Sequence, residues 1–477
     1  MILHPLNCLS SLEYISEIIV LAQDPEEIKQ GLLNHPISNK VKFCKSNGSI
    51  ATTVMNCIQQ LNLSLPLMIT TADNCLLTAA DVDDFLTQTV NSPADLAIGF
   101  ARQEVVIAAY PETRRTWIPF KDVKVTGCNL FLLTSNKSME LIRFWNNFES
   151  SPKKFLKLAW ALGPAFFYRF LFRQLSIAET FARISDLTGI KVMPAFLKHP
   201  EVSIDADKFT DILQIESILE QNTRTVKHNP IKQQPGSPVV IFDLDRTITR
   251  NGTFMPFLIY YACRQNPLRL LFLPVIIVLM LGYTLKLLDR KQLKSLMYGL
   301  IIGNPDKADL DRICTAFVDR TLDKHVYPEA LYTIREWQNK NAHLILATAS
   351  YDWMANVFAQ RLKFDSVIAT KSITIDGKII PGVDGDNCYG QAKLRMVTEA
   401  LDLIATAGVK KQDIWFYTDH HTDIPLLKVC NHPVAVNASR RLMNWIKSRP
   451  DGLLLDWHSR PVQIASKGLL TAINNII

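Results

Sequence analysis

Two aspartates directly follow a run of apolar residues in the stretch VVIFDLDRTITRNGTF, residues 239–254. Asp243 and Asp245 are separated by one residue, and like charges about 4 Å apart repel by roughly 4 kcal/mol at an effective dielectric of 20. A chain that keeps both carboxylates at the end of a buried strand needs a cation to offset them. The pair therefore indicates a site for a metal ion, a basic side chain or both.

Other apolar runs also end in groups that could join this pair. The strand-like run HLILATA (343–349) ends near a hydroxyl, DIWFYT (413–418) is followed by two further acids, and a predicted helix start near GQAKLRMVTEAL carries an amine. In open α/β sheets, ligands bind beyond the carboxyl ends of the strands, where such groups would meet. The groups are Thr348, Asp419, Asp423 and Lys393.

The charges of these groups match a phosphate and a divalent metal. A phosphomonoester dianion together with Asp243, Asp419 and Asp423 is offset in part by Lys393 and Mg²⁺, and carboxylate oxygens suit Mg²⁺. Asp243 could attack phosphorus and become an aspartyl-phosphate, while Asp245 protonates the leaving alcohol and later activates water. Thr348 and Lys393 would hold the phosphoryl oxygens.

The ordered set resembles the haloacid dehalogenase superfamily, in its phosphoserine-phosphatase-like branch (subfamily IB). FDLDRT, LATAS, Lys393 and TDHHTD correspond to its four motifs, over about residues 237–447. The resemblance implies a Rossmann-like core and Mg²⁺, with Asp243, Asp245, Asp419 and Asp423 as metal-site residues. Two positions depart from the family pattern: Arg246 replaces a frequent glycine, and His420 a frequent serine or glycine. Both substitutions leave the catalytic groups in place.

Alternating strand-like and helix-like patterns predict an α/β protein with two doubly wound, Rossmann-like domains. Between them, residues 221–238 are polar, contain three prolines and lack apolar periodicity, as is typical of a linker. The predicted boundaries are 1–222 for the first domain, 223–237 for the linker, 238–447 for the haloacid dehalogenase-like domain with a helical cap at about 252–325, and 448–477 for a C-terminal tail.

The cap region contains sixteen consecutive residues without a charge, 270–285 (LLFLPVIIVLMLGYTL). A single membrane crossing there would place Asp243 and Thr348 on opposite sides of the bilayer, and the site could not form. We therefore expect a cap helix whose apolar face is buried or contacts an apolar substrate or a membrane surface.

In the N-terminal half, the strand-like PLMIT (66–70) runs into TADNCLLT, and a later acidic segment reads SIDADKF. Asp73 with Asp205 or Asp207 could hold a second Mg²⁺. This half resembles the nucleotidyltransferases related to molybdenum-cofactor guanylyltransferase, which implies a nucleotide ligand. Those enzymes begin with a Gly-rich loop that cradles phosphates, whereas the first 47 residues here contain one glycine, Gly31. We therefore expect weak or absent nucleotide transfer, or a start codon upstream of the one used.

The composition narrows the class of function. Net charge is +7 with scattered basic residues, which does not favour nucleic acid as a partner. Nine cysteines without a C-x-x-C pair favour a cytoplasmic protein with reduced thiols, with membrane association as an alternative. We expect a phosphatase acting on a small phosphorylated metabolite or lipid headgroup. The alternatives are a bifunctional nucleotidyltransferase and phosphatase, and a non-catalytic membrane scaffold.

Overall fold

The structure is a computed structural model in which the chain divides into two compact units, Met1–Val226 and Lys227–Ile477. Most of the predicted linker and tail lie outside the described residues, so the predicted domain boundaries stay predictions. The described residues are 2–32, 35–46, 50–111, 113, 115–140, 142, 168–169, 172–223, 237–406 and 413–457.

The first unit is built from two sheets with helices around them. Its described strands are β1 (Ile18–Ala22), β2 (Val41–Lys45), β3 (Leu67–Thr70), β4 (Leu96–Arg102), β5 (Ile118–Pro119), β6 (Lys124–Leu133) and β7 (Val192–Phe196). Its described α-helices are α1 (Leu3–Ser10), α2 (Pro25–Leu32), α3 (Ile50–Leu61), α4 (Ala79–Thr89), α5 (Gln103–Ala109), α6 (Ile177–Thr188) and α7 (Phe209–Thr223).

The larger sheet of the first unit is mixed rather than wholly parallel. Its strand order is β3-β6-β4-β7, with β5 also paired to β6. Strand β6 runs antiparallel to β3 and β4, whereas β7 is parallel to β4. Strands β1 and β2 form a separate parallel pair. The side chains of Leu130 and Leu132 in β6 are buried, so this strand supplies part of the core that holds the sheet and helices together.

The second unit has one seven-stranded sheet in the order β11-β10-β9-β8-β12-β13-β14. Its strands are parallel except at the β10–β11 hairpin, which is antiparallel. The predicted α/β class, with a Rossmann-like core in the C-terminal half, is confirmed. The strands are β8 (Val239–Phe242), β9 (His343–Tyr351), β10 (Ser366–Ile375), β11 (Lys378–Asp384), β12 (Ile414–Thr418), β13 (His432–Val436) and β14 (Leu453–Leu455).

The central position of β8 explains why its sequence is apolar throughout. A parallel strand covered on both faces reads as a continuous apolar run rather than an alternating one, and all four residues of β8 are buried. The helices that surround this sheet and form the cap are α8 (Phe254–Gln265), α9 (Leu273–Thr284), α10 (Arg290–Ile301), α11 (Lys307–Lys324), α12 (Pro328–Asn339), α13 (Asp352–Leu362), α14 (Gln391–Thr406), α15 (Ile424–Leu427) and α16 (Arg440–Lys447).

Helices α8 to α11 lie between β8 and β9, where the sequence predicts a cap. Helix α10 packs against β11, and the hydroxyl of Tyr298 donates a hydrogen bond to the carbonyl of Ile379 at 3.4 Å. Helix α9 differs from its neighbours because Ile276 is its one buried side chain. With the preceding 3-10 helix, Pro267–Thr284 is long and apolar enough to cross a membrane by length and composition, and 6% of it is buried.

Candidate active site

Three parallel strands bring the predicted site residues of the second unit to one edge of the sheet. Strand β8 ends at Phe242, which pairs in register with Leu346 of β9 and Tyr417 of β12. Residues that shortly follow these pairs lie at the same carboxyl edge, where open α/β sheets bind ligands. These residues are Asp243, Thr348 and Asp419.

Lys393 joins two of the predicted aspartates. Its Nζ donates hydrogen bonds to Oδ1 of Asp243 at 2.9 Å and to Oδ2 of Asp423 at 2.8 Å. The exposed fractions of the three residues are 2%, 7% and 3%, respectively, so water screens these pairs little. Lys393 is the third residue of α14, and the start of this helix therefore delivers the amine to the strand ends. The structure thus brings together residues 150 and 30 positions apart in the chain.

The carboxylates of this cluster outnumber the cation that neutralises them. Burial raises the pKa of Asp243 to about 6, against the opposing charge of Lys393. Burial and the charge of Asp243 raise the pKa of Asp419 to about 7. Burial alone would lower the pKa of Lys393, but the adjacent carboxylates hold it above its ordinary value. A second positive charge would therefore stabilise the ionised form of the cluster.

One oxygen of the cluster has no hydrogen-bond partner among the residues that the structure describes. Oδ1 of Asp423 is buried and makes no hydrogen bond to any described residue, whereas Oδ2 accepts one from the hydroxyl of Thr418 at 2.8 Å in addition to the one from Lys393. A buried, unpaired carboxylate oxygen is costly unless a ligand satisfies it. Oxygen ligands of this kind are those that Mg²⁺ prefers, so the residues fit a divalent cation.

Asp245 and Thr348 are oriented by two residues that the sequence analysis did not single out. The backbone N–H of Thr253 donates to Oδ1 of Asp245 at 2.7 Å, and the backbone N–H of Ser350 donates to the Thr348 hydroxyl at 3.1 Å. The hydroxyls of Thr253 and Ser350 lie 3.2 Å apart and share a hydrogen bond. This link holds the first and second motifs in a fixed relation.

The two adjacent histidines after β12 act locally. Nδ1 of His420 lies 2.9 Å from the Thr422 hydroxyl, at the N-terminus of a short 3-10 helix, His421–Asp423. Burial and the neighbouring His421 lower the pKa of His420. These contacts give His420 the role of a helix cap, and the short helix it begins places Asp423 in the site.

Lys294 is a site residue that sequence reasoning missed. It belongs to α10 in the cap, and its Nζ donates to the carbonyl of Ala349, next to Thr348, at 2.6 Å. The same Nζ lies 3.8 Å from the ring centroid of Tyr351. Burial and the charge of Arg290 lower the pKa of Lys294 to about 7. The sequence signal was its spacing with three apolar residues of one helix face, Met297, Tyr298 and Ile301, all of them buried.

The structure explains why glycine is frequent at the position of Arg246. Arg246 has a φ of 62°, in the left-handed region that glycine adopts readily and other residues adopt at a cost. Its side chain is exposed, and its positive charge is one of those that act on Asp419, against the effect of burial. The departure from the family pattern therefore adds a cation at the rim of the site.

In the first unit, the three predicted aspartates also come together. Oxygen atoms of Asp73, Asp205 and Asp207 all lie within 4.8 Å of one another. The first two are partly buried and Asp207 is exposed. Arg115 forms an ion pair with Asp205, and the side-chain amide of Asn129 donates to Asp205 at 3.3 Å. Burial and the charge of Asp205 raise the pKa of Asp207. This arrangement could hold a cation on loops that follow β3 and β7.

Sequence comparisons assign a family to the second unit. Residues 240–428 match the family model of the haloacid dehalogenase-like hydrolases. Protein CicA of Caulobacter vibrioides is 28% identical over 163 residues, which cover 34% of this chain and 71% of the relative. A probable phosphatase of Mycobacterium tuberculosis is 24% identical over 280 residues, which cover 51% of this chain and 87% of the relative.

Solved structures with some similarity include a protein of unknown function from Bordetella pertussis and a substrate-bound phosphoserine phosphatase. The first has 21% identity and a TM-score of 0.42, covering 46% of this chain and 99% of that one. The second has 18% identity and a TM-score of 0.35, covering 51% and 100%. Because these scores are low, the family assignment rests on the strand order, the converging motifs and the family match. The second unit contains a haloacid dehalogenase-like hydrolase domain.

Proposed function

We propose that the second unit is a Mg²⁺-dependent phosphomonoester hydrolase that works through an aspartyl-phosphate. The observation that carries this proposal is Lys393, which bridges Asp243 and Asp423 at the carboxyl edge of the sheet. The probable phosphatase among the relatives supports the same class of reaction. A buried amine between two carboxylates is an arrangement that positions a nucleophile and neutralises its surroundings.

In the proposed reaction, an Oδ atom of Asp243 bonds to phosphorus while the ester P–O bond breaks. Asp245 gives its proton to the leaving alcohol. In the second half, Asp245 takes a proton from water, the water oxygen bonds to phosphorus, and the acyl-phosphate bond breaks to restore the Asp243 carboxylate. The hydrogen bond from Thr253 fixes the carboxyl of Asp245 for both transfers.

Lys393 and Thr348 would hold the phosphoryl oxygens during both steps. Asp243, Asp245, Asp419 and Asp423 are the residues that would hold Mg²⁺, which would offset the charge of the cluster and polarise a phosphoryl oxygen. The unpaired Oδ1 of Asp423 and the burial of Asp419 support this assignment. Lys294 would close the site from the cap side, because it already donates to the carbonyl of Ala349, the residue of β9 that follows Thr348.

The substrate class proposed here is a small phosphorylated metabolite or a lipid headgroup, met in the cytoplasm or at a membrane surface. A panel of phosphorylated metabolites tests the proposal through phosphate release with Mg²⁺, with EDTA, and with an Asp243→Asn variant. We expect release that requires the metal and is lost in the variant. Metal-independent release, or release that Asp243→Asn retains, would refute it. Retained membrane binding without release in the native protein would favour a scaffold.

A nucleotidyltransferase activity of the first unit is a second candidate, favoured by the cluster of Asp73, Asp205 and Asp207. Such enzymes bind a nucleoside triphosphate whose phosphates coordinate a divalent cation. Three carboxylate oxygens within 4.8 Å of one another are suited to hold that cation. Titration with CTP and GTP in the presence of Mg²⁺ tests it, with Asp205→Asn as the control. Saturable binding that the variant loses supports the candidate, and absent binding removes it.

A further inference from the structure

The segment Pro267–Thr284 and the turn after it form a large exposed apolar surface on the cap. Its apolar side chains include several that are more than half exposed, although α-helices of a globular protein usually bury such residues. A patch of this kind on a soluble domain marks an interaction site. The most exposed members are Leu268, Leu271, Ile277, Val278, Leu281, Leu285 and Leu287, with exposed fractions of 58% to 75%.

One end of this segment contacts the end of α10, and its other end leads into the start of α10. At its start, the guanidinium of Arg269 donates to the carbonyl of Ile301, at the end of α10, at 3.2 Å. At its other end, the chain turns after Thr284 and enters α10 at Arg290. Helices α9 and α10 therefore form a hairpin whose tip is the turn at Leu285–Leu288. A hairpin with both ends held by one domain can enter a bilayer surface without crossing it.

The charges around the hairpin identify a bilayer as the surface that covers it. Between positions 264 and 291 there are five basic residues and one acid, Asp289. The basic residues are Arg264, Arg269, Lys286, Arg290 and Lys291. Apolar side chains inserted at the boundary of the headgroups, flanked by Lys and Arg, are the pattern of interfacial helices on anionic membranes. A partner protein would cover one face of α9, whereas this helix is exposed on every face except the stripe formed by Leu273, Ile276, Leu279 and Gly282.

The residues that follow the tip of the hairpin contact the loop next to the candidate active site. Arg290 lies with its guanidinium carbon 3.9 Å from the ring centroid of Tyr389, and Lys291 donates to the carbonyl of Gly385 at 2.8 Å. Both partners belong to the loop that precedes Lys393. From Leu287 to Lys294, three extended residues and four helical ones span at most about 17 Å. A hairpin seated in the headgroup layer would hold the site at the level of the lipid phosphates.

We infer that the hairpin docks the protein on an anionic membrane and that the substrate is a phosphomonoester carried by a membrane lipid. This inference rests on the proposed phosphatase function and names the substrate class of the same site. The lipid phosphate would reach Asp243 past Arg290 and Lys294, the two cations of α10 nearest the motifs. Soluble phosphomonoesters would enter the same site without the benefit of membrane docking.

The test uses the full chain and two variants. In Val278→Glu with Leu281→Glu, two exposed side chains of α9 become charged, whereas Tyr332→Glu changes an equally exposed aromatic residue of α12, far from α9 in sequence. Membrane binding is measured by flotation of the protein with vesicles of phosphatidylcholine and phosphatidylglycerol. Phosphate release is measured from phosphatidic acid and phosphatidylglycerophosphate in the same vesicles, and from soluble p-nitrophenyl phosphate.

We expect the native chain and Tyr332→Glu to float with anionic vesicles and to hydrolyse the lipid. The double variant should lose flotation and lipid hydrolysis at least about tenfold, because carboxylates are costly in the apolar layer, and should keep its rate on p-nitrophenyl phosphate. Three outcomes would overturn the inference. In the first, the native chain does not float; in the second, it self-associates through α9 in place of binding the membrane; in the third, it releases phosphate from p-nitrophenyl phosphate but from neither lipid. Absent release from every substrate would instead refute the phosphatase function.

Discussion

Each unit contains an acidic cluster among its described residues, and the two clusters differ in how their charge is held. In the second unit, Asp243 and Asp423 are buried and share the amine of Lys393. In the first unit, Asp205 pairs with Arg115 but remains partly exposed, and Asp207 is exposed. Strand ends and a helix start fix the cluster of the second unit, whereas the cluster of the first unit lies on loops.

This difference teaches which cluster is prepared for chemistry. Buried charges interact more strongly than exposed ones, and removing one partner of a buried pair destabilises the protein more. Buried carboxylates held by a lysine are positioned before a substrate arrives, which is what electrostatic catalysis requires. Exposed carboxylates are screened and rearrange easily, so they need a ligand to order them. Changes to the buried cluster should therefore have the larger effects.

The largest difference is expected when the first carboxylate of each cluster is neutralised. Asp243→Asn removes the proposed nucleophile and should lower phosphate release at least about a thousandfold, as removal of a nucleophile does in other enzymes. Asp73→Asn, the matched change in the first unit, should leave release within about twofold because that residue lies outside the catalytic unit. Steady-state rates on one soluble phosphomonoester compare them. Equal losses would contradict the separation of the two clusters.

Loss of the cation should also separate the clusters, by a smaller amount. Lys393→Met leaves two buried carboxylates unpaired and should lower the free energy of unfolding by about 3–5 kcal/mol. Arg115→Met should cost less, because the side chains of its partners Asp205 and Asp211 are 25% and 18% exposed and water can replace part of the lost interaction. Urea denaturation of each variant gives the values. A larger loss for Arg115→Met would reverse the comparison.

The metal-free protein should become less stable as pH rises from 5 to 7. The folded-state pKa values of Asp243 and Asp419 are raised to about 6 and about 7, so the folded state holds protons that the unfolded state has released. These two groups stabilise the fold fully below their unfolded pKa, and the stabilisation is lost as pH rises through the raised values, by about 3–4 kcal/mol between pH 5 and pH 7. Thermal denaturation at several pH values, with EDTA, measures the slope. Asp419→Asn should weaken this pH dependence. Stability that instead increases from pH 5 to pH 7 would contradict the burial of these acids.

The smallest effect concerns Arg246, which occupies a left-handed backbone position. Arg246→Gly should raise the free energy of unfolding by up to about 1 kcal/mol, because glycine adopts this conformation without strain. Lys363 has a φ of 55° at the end of α13, and Lys363→Gly is therefore the matched control. Both variants should gain stability, and Arg246→Gly should in addition alter KM for a phosphomonoester. An unchanged KM would show that this charge does not act on substrate.

The strand ends of the second unit could be predicted because their local sequence is unambiguous. VVIF was predicted over 239–242 and β8 spans Val239–Phe242, since a continuous apolar run that ends in acids has few alternatives. The apolar, β-rich run SVIAT (366–370) by itself predicts a strand of five residues, but β10 continues to Ile375. The extra residues pair with β11 in a hairpin, and that pairing depends on contacts that a local pattern does not contain.

One feature of the site and one of the cap depend on three-dimensional packing, which a local sequence pattern does not contain. Lys294 lies more than fifty positions from Ala349, so its bond to the second motif follows from how the cap folds onto the core. The apolar segment of α9 was expected either to be buried or to contact an apolar substrate or a membrane surface, and the structure leaves it exposed. Hydropathy alone does not distinguish a core helix from a surface helix. The sequence of β6 in the first unit likewise does not indicate that this strand runs antiparallel to its neighbours.

The most direct test asks which residue carries phosphorus during turnover. The protein is mixed with a soluble phosphomonoester labelled in its phosphate, quenched in acid and cleaved into peptides. We expect the label on the peptide that contains Asp243 and no label in Asp243→Asn. Turnover with no labelled peptide, or a label on any other residue, would contradict the proposal that Asp243 is the phosphoryl acceptor.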